Sequence, residues 1–199
     1  MLRKLLLIFV CVCCCTCKQE DCLERQIKFE QGDIIFRRGY GLKSRAILNV
    51  DTSSAYSHCG IVVLTEDKGS ASVIHITPGE RNKDENVDKI KIESIADFWR
   101  NDKAKHGAVY RLKNNRWGEN AAQEAFRLLE KCILFDHDYQ LQDTCTMYCT
   151  ELVYQAYLKA GKDITFGKRS VLNVPMYSGT YIFPSDIYTN DDFMVIFSF

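Results

Sequence analysis

Two short segments of the sequence place a cysteine and a histidine in settings that suit nucleophilic catalysis. Cys149 stands at the start of an amphipathic run, and the partial positive charge of a helix N-terminus lowers the pKa of a thiol there. His58 begins the β-branched run 58–64, about ninety residues earlier. A neutral imidazole can deprotonate a thiol and later protonate a leaving amine. We therefore predict that Cys149 is a nucleophile and that His58 is its base.

A second histidine lies on the strand that follows His58. His75 is a polar residue inside the apolar run 72–76, and the polar turn 66–69 separates the two runs. Strand alternation allows His58 and His75 to share one face of a sheet, where His75 would orient the base as the third member of a triad does. A purely structural use remains open for each residue, as a buried small thiol or a satisfied histidine.

The elements that must position these residues follow from hydrophobic periodicity. Strands are predicted over 31–36, 58–64, 72–76, 87–92, 107–112, 179–184 and 193–199. Helices are predicted over 42–50, 92–99, 117–133 and from Cys149 to a stop at Gly161. The charged stretch 80–88 is expected to be a solvated loop. With no repeat and no interdomain linker, these elements predict one α+β domain.

Composition supports a compact domain and gives no sign of a nucleic-acid partner. The 199 residues include 26 basic and 26 acidic side chains, so the formal net charge is zero. Nucleic-acid binding usually leaves a basic footprint, which this balance lacks. The apolar fraction of 46% is typical of a globular chain that buries a core.

The first 22 residues have the features of an export signal. Arg3 and Lys4 precede the apolar run 5–10, which is too short to span a membrane, and the chain turns polar at 18–21. A cysteine at the exit would suit acylation, as in a bacterial lipoprotein. We predict lipidation at Cys17, with Cys15 as second choice; plain secretion is the alternative. Residues 1–22 are thus assigned to a signal and short tether, and 23–199 to the domain.

Cysteine use argues for a working thiol rather than for a disulfide framework. Removal of the signal leaves five cysteines, an odd number. They are Cys22, Cys59, Cys132, Cys145 and Cys149. Zinc is a rival use, since His58, His75 and His137 are also available. Structural zinc sites usually have tighter paired spacings, and no Cys-x-x-Cys occurs here. We predict no metal and no other cofactor.

Taken together, these motifs resemble a known family. Ser-His-x-Gly-Ile-Val at 57–62, a polar residue on the next strand, Phe-Asp-x-Asp-Tyr at 135–139 and Tyr-Cys-Thr-Glu-Leu-Val-Tyr at 148–154 are similar to the permuted papain-like YiiX/YaeF hydrolases. These are relatives of the NlpC-type cell-wall peptidases. Residues 32–36 resemble the family's opening strand and residues 184–186 its late turn, so the resemblance covers nearly the whole mature chain. Circular permutation explains why the histidine precedes the cysteine.

The resemblance implies an antiparallel sheet packed against helices, with the nucleophile at a helix N-terminus. It assigns Cys149 as nucleophile, His58 as base and His75 as orienting residue, although many YiiX-like proteins carry a glutamate where this chain has His75. The oxyanion hole would combine the Cys149 backbone N–H with a side-chain donor, Tyr139 or Tyr148. Glu151 points away from Cys149 around the helix, so it binds a substrate amine or stabilises local structure.

The function implied is that of an exported, amidase-like or peptidase-like cysteine hydrolase. It would act through a thioacyl intermediate on cell-wall peptides or acyl-lipid amides or esters, with water or another acceptor resolving the intermediate. The alternative is a non-catalytic surface lipoprotein that uses the same fold to bind lipid or peptide. Late aromatic residues line an apolar groove or pack in the core. They are Tyr177, Tyr181, Phe183 and Tyr188.

Overall fold

The computed structural model describes residues 27–65, 70–80, 86–141, 145–173 and 178–199. The predicted export signal, with the lipidation candidates Cys17 and Cys15, lies outside the described residues, and so does Tyr177. Within these ranges, no helix combines the length and apolar character needed to cross a bilayer.

Ten strands and five helices make up the described chain. The strands are β1 (Ile34–Arg38), β2 (His58–Leu64), β3 (Ala71–His75), β4 (Lys91–Ser94), β5 (His106–Leu112), β6 (Leu134–Phe135), β7 (Thr146–Met147), β8 (Ser170–Leu172), β9 (Gly179–Tyr181) and β10 (Phe193–Ser198). The helices are α1 (Leu42–Val50), α2 (Ile95–Phe98), α3 (Gly118–Glu130), α4 (Cys149–Lys159) and α5 (Pro184–Tyr188).

A six-stranded antiparallel sheet organises the molecule, in the order β10-β5-β1-β2-β3-β4. Strands β6 and β7 form a small parallel pair, and β8 and β9 form an antiparallel pair. The alternating apolar residues of the central strands face two separate cores, as the period of two requires. The expected α+β class is therefore confirmed.

The two faces of the sheet are covered differently. Helices α3 and α4 pack on one face, where Phe36, Ile61 and Ile74 are fully buried. The other face is covered by α2, by Trp99 and by residues 27–29. This arrangement places the N-terminus of α4 and the start of β2 at one end of the sheet, where the candidate residues meet.

Local patterns predicted most elements correctly. The helix at 42–50 and the strand at 58–64 have the predicted bounds. Helix α4 begins at Cys149, and Gly161 ends the helical run with a φ of 93°, a conformation that glycine adopts without strain.

The strand predicted over 87–92 is wrong in its position. Residues 88–90 pair with 133–135 outside the main sheet, through the hydrogen bonds from Ile90 N–H to Ile133 O (2.8 Å) and from Phe135 N–H to Asp88 O (2.9 Å). The chain joins the main sheet only at Lys91. Periodicity in one segment cannot show which neighbour that segment pairs with.

The prediction of a solvated loop over 80–88 is wrong at both described ends of the segment. Glu80 pairs with Arg37, and Asp88 is buried and accepts a hydrogen bond from Gly79 N–H (2.9 Å). Residues 81–85 lie outside the described ranges. Charge alone suggested exposure, but buried charges are acceptable when they are paired.

Candidate active site

Cys149 is the first residue of α4, and its half-buried thiol faces a pocket. The preceding Tyr148 is extended, and its side chain does not cap the helix. Backbone N–H groups of the first helical turn have no carbonyl partner four residues back, so that of Cys149 can serve a ligand. The helix is held in place because Thr150 Oγ1 donates to Ile182 O (2.5 Å) and the Tyr157 hydroxyl donates to Gly32 O.

Three donors converge on the Cys149 sulfur, and together they hold its pKa well below the ordinary value. The largest effect comes from the Cys59 thiol; burial opposes it, and the charge and hydrogen bond of His58 add to it, as does the backbone N–H of Cys59. Burial and the neighbouring Cys149 raise the pKa of Cys59. Cys59 therefore stays protonated and donates its S–H to the Cys149 thiolate.

Cys59 was considered in the sequence only as a possible zinc ligand. The signal that could have identified its position is its place directly after His58 on β2. Successive side chains of a strand point to opposite faces, so Cys59 turns towards the helices while His58 turns towards the other face. The first two residues of β2 thus bring an imidazole and a thiol to the sulfur of Cys149.

His58 and His75 lie in direct contact, as the shared face of β2 and β3 allows. His58 Nε2 is 2.9 Å from His75 Nδ1, and His58 stacks on the Phe98 ring with centroids 5.5 Å apart. Gly60 makes this approach possible, because a Cβ there would lie 2.9 Å from His75 Cβ. Burial lowers the pKa of His75 to about 3, so this ring is neutral at neutral pH.

A carboxylate completes the row of polar groups behind His58. Glu93 Oε1 lies 3.0 Å from His75 Nε2, although the two groups are not aligned for an ideal hydrogen bond. Glu93 Oε2 lies 3.1 Å from Lys91 Nζ and 3.0 Å from Lys103 Nζ. Burial alone would raise the pKa of Glu93, but the contacts with His75, Lys91 and Lys103 outweigh burial and hold the pKa far below its usual range.

The sequence-based interpretation did not assign Glu93 to the site. Its strand was predicted two to four residues too early, so its side chain could not be related to His75. The observed register pairs Val73 with Glu93 and His75 with Lys91, which puts all four side chains on one face.

The pocket in front of Cys149 has a volume of about 390 Å³. Its lining includes His58, Tyr139 and Tyr148 together with charged side chains. The charged residues are Arg37, Lys43, Glu80, Arg100, Asp102 and Lys103. This is a concave, water-accessible site with a nucleophile and a base at its floor, a geometry suited to acyl transfer.

Both candidates for an oxyanion side chain border this pocket, but they differ in setting. The buried Tyr148 hydroxyl accepts a hydrogen bond from Ile182 N–H (2.9 Å). The Tyr139 ring contacts that of Tyr148 with centroids 5.5 Å apart, at a backbone φ of 55°. Glu151 is fully buried and does not border the pocket, a placement that favours its local structural use.

An apolar groove of about 310 Å³ adjoins the pocket and shares Lys43, Ile47 and Tyr139 with it. Tyr181 and Phe183 line the groove, and their rings stack with centroids 5.8 Å apart. Lining an apolar groove is the first of the two uses predicted for the late aromatic residues. Tyr188 has the other use, because it packs in a ring cluster. The other members of the cluster are Phe36, Tyr56 and Tyr110.

Within the described part of the chain, no group of three or more His, Cys, Asp or Glu side chains is placed to hold a metal ion. The described residues that were considered for zinc serve other contacts, since Cys59 and His58 meet Cys149 and His75 meets Glu93. His137 lies 3.6 Å from Asp88 on an exposed segment.

The antiparallel sheet, the helix that begins at a cysteine and the histidine on a neighbouring strand define a papain-like protein with a permuted chain. The chain belongs to the family of permuted papain-like amidase enzymes, YaeF/YiiX (C92), which matches residues 28–191. The family and fold implied by the sequence resemblance are confirmed.

The comparison with solved structures supports the same fold. The crystal structure of metalloprotein yiiX from Escherichia coli O157:H7 superposes with a TM-score of 0.66 at 20% identity, covering 84% of this chain and 96% of that one. Comparison with curated protein sequences gives no match.

Proposed function

We propose that the protein is an exported cysteine amidase whose nucleophile is Cys149. The observation that carries the proposal is the contact of a low-pKa thiol at a helix N-terminus with His58, at the floor of an open pocket. Membership of an amidase family supports the bond type, since an amide carbonyl is a suitable target for a thiolate.

The reaction proceeds in two halves. The Cys149 thiolate attacks the carbonyl carbon, and the developing oxyanion lies at the backbone N–H of Cys149. His58 gives its proton to the leaving amine as the C–N bond breaks, which leaves a thioacyl enzyme. His58 then takes a proton from water, the resulting hydroxide attacks the thioester, and the carboxylic acid leaves as the thiolate is restored.

The substrate class we propose is an amide, or an ester, with an apolar acyl part. The groove beside the pocket supports this choice, because Ile47, Val50 and Leu172 line it together with two stacked aromatic rings. Each buried methylene contributes about 0.8 kcal/mol of binding free energy. A polar cell-wall peptide would leave this surface unused.

Export and anchoring belong to the same proposal. The basic start, the short apolar run and the exit cysteines of residues 1–22 support a lipoprotein signal with Cys17 as the acylated residue. An anchor of this kind would hold the enzyme at a membrane, where amides with apolar acyl parts are found.

Replacement of the nucleophile or the base tests the reaction. Cys149→Ala and His58→Ala are each expected to lower kcat by at least about 10³-fold, because the two groups act as a unit. Hydrolysis is measured on N-acyl amines of increasing chain length and on muropeptides, and mass spectrometry looks for an acyl adduct on the Cys149 peptide. Cys132→Ala, at an exposed thiol, is the control with full activity.

Each outcome decides between stated alternatives. Full activity in Cys149→Ala contradicts the mechanism. Turnover of muropeptides but not of acyl amines contradicts the substrate class. Binding of either compound without turnover or adduct supports the binding-module alternative instead.

A further inference from the structure

The geometry points to Glu93 as a positioning residue that sets the protonation state of His58 through His75. This inference rests on the proposed function, since it concerns the base that would activate Cys149. Glu93 touches neither the pocket nor the nucleophile. It acts through one intervening ring, whose two nitrogens lie 3.0 Å from Glu93 Oε1 and 2.9 Å from His58 Nε2.

The position of each proton along this row follows from the carboxylate. An ionised carboxylate can only accept, and two lone pairs at 3.0 Å would repel, so His75 carries its proton on Nε2. His75 Nδ1 is then an acceptor, and His58 must donate from Nε2. His58 Nδ1 is left with the lone pair that takes the proton of Cys149. A neutral residue at position 93 would not impose this order.

The surrounding charges hold Glu93 in this role. Lys91 and Lys103 bind its Oε2. Its Oε1 faces His75 and also lies 3.4 Å from Lys103 Nζ and 3.9 Å from Arg37 Nη1. Glu80 pairs with Arg37 and both lysines, and it contributes the second negative charge of the cluster.

Burial decides where the positive charge resides when the thiol ionises. His75 is fully buried and stays neutral, so the proton from Cys149 stays on His58. Phe98 covers both rings, with centroid distances of 5.5 Å to His58 and 5.1 Å to His75. The Glu93 carboxylate therefore stabilises the His58 imidazolium across a ring that is shielded from water, where charges are weakly screened.

Glu93→Gln tests the inference because it keeps the side-chain shape and removes the charge. The pH midpoint for alkylation of Cys149 by iodoacetamide, followed on the Cys149 peptide by mass spectrometry, is expected to rise by about one unit, which is about tenfold slower alkylation at pH values below the wild-type midpoint. With the best substrate found, kcat is expected to fall while KM is unchanged.

Two further measurements separate positioning from simple support of the fold. Lys91→Met breaks two ion pairs of the same cluster, but Lys103 alone still holds Glu93 Oε2 and keeps the carboxylate at His75, so the alkylation midpoint of this variant is expected to match that of the wild type. Nitrogen-15 NMR in the Cys149→Ala chain is expected to show His58 and His75 both protonated on Nε2, and Glu93→Gln in that chain is expected to mix the tautomers.

The results distinguish this inference from the proposed function. An unchanged midpoint in Glu93→Gln, or an equal shift in Lys91→Met, overturns the role of Glu93 and leaves the role of Cys149 intact. A wild-type Cys149 that reacts below neutral pH no faster than the exposed Cys132 contradicts the proposed function itself.

Discussion

Burial keeps one of the two neighbouring histidines, His75, neutral. His75 is fully buried, and burial lowers its pKa from an ordinary 6.5 to about 3, whereas His58 borders the pocket and meets the thiol. The folded protein holds His75 neutral, while the unfolded chain protonates the same ring below pH 6.5. The stability contribution is therefore complete above pH 6.5 and is lost as the pH falls towards about 3.

This residue predicts a defined loss of stability in mild acid. The free energy of unfolding is expected to drop by about 2 kcal/mol between pH 7 and pH 5 on account of His75 alone. Urea denaturation at the two pH values measures it, and His75→Gln should remove most of the drop. His106→Gln, at an exposed histidine, is the matched control. If the free energy of unfolding of His75→Gln fell by the same amount between pH 7 and pH 5, the loss of stability could not be attributed to His75.

At the scale of secondary-structure elements, α1 forms a wall common to the pocket and the apolar groove. Lys43 and Ile47 border both cavities, and Ala46 borders the groove alone. The end of α1 is held because Ser185 Oγ donates to Asp51 Oδ1 (2.5 Å) and Ser185 N–H donates to Asp51 Oδ2 (3.1 Å). A helix fixed at its C-terminal end gives the groove a defined width, and so α1 is placed to select the acyl length of the substrates we propose.

Narrowing the groove from α1 is expected to act on long substrates only. Ala46→Phe should raise KM for long-chain acyl amides by about tenfold, because two excluded methylenes are worth about 1.6 kcal/mol, and it should leave acetyl substrates unaffected. Steady-state kinetics over a series of chain lengths measures the effect. Leu42→Phe, on the outer side of the same helix where Leu42 is 81% exposed, is the control. Equal effects on short and long chains would show that the groove does not bind the acyl group.

At the scale of the whole molecule, the proposed anchor would keep the site close to a membrane. Ile27, the first described residue, is ten positions after Cys17. A chain of this length spans at most about 35 Å when fully extended. An acylated Cys17 would therefore hold Ile27, where the described domain begins, within about 35 Å of a bilayer in which apolar acyl groups are concentrated.

Membrane fractionation tests this arrangement. The full chain, expressed with its signal, is expected in the membrane fraction, and Cys17→Ala is expected to release it, because one missing acylation site removes the whole anchor. Cys15→Ala serves as control, since that residue was the second choice. Release by Cys15→Ala but not by Cys17→Ala would indicate that Cys15 is the lipidated residue. A wild-type protein found in the soluble fraction would favour plain secretion.

Local sequence patterns were enough to predict the elements that carry the central pair. Helix α4 begins at Cys149 and β2 begins at His58 because apolar periodicity and a terminal glycine are properties of contiguous residues. The placement of β4 was wrong because residues 88–90 pair with the distant segment 133–135. Glu93 was missed for the same reason, since only the register of β4 on β3 brings it to His75.

The sequence by itself determined the fold class, the family and the three residues proposed for chemistry, because these depend on residue type and short-range spacing. Only the tertiary structure decided that Cys59 meets the Cys149 sulfur, that Glu93 stands behind His75 and that an apolar groove opens beside the pocket. Each of these features joins segments far apart in the chain. Such contacts depend on strand register and helix packing, which local propensity does not specify.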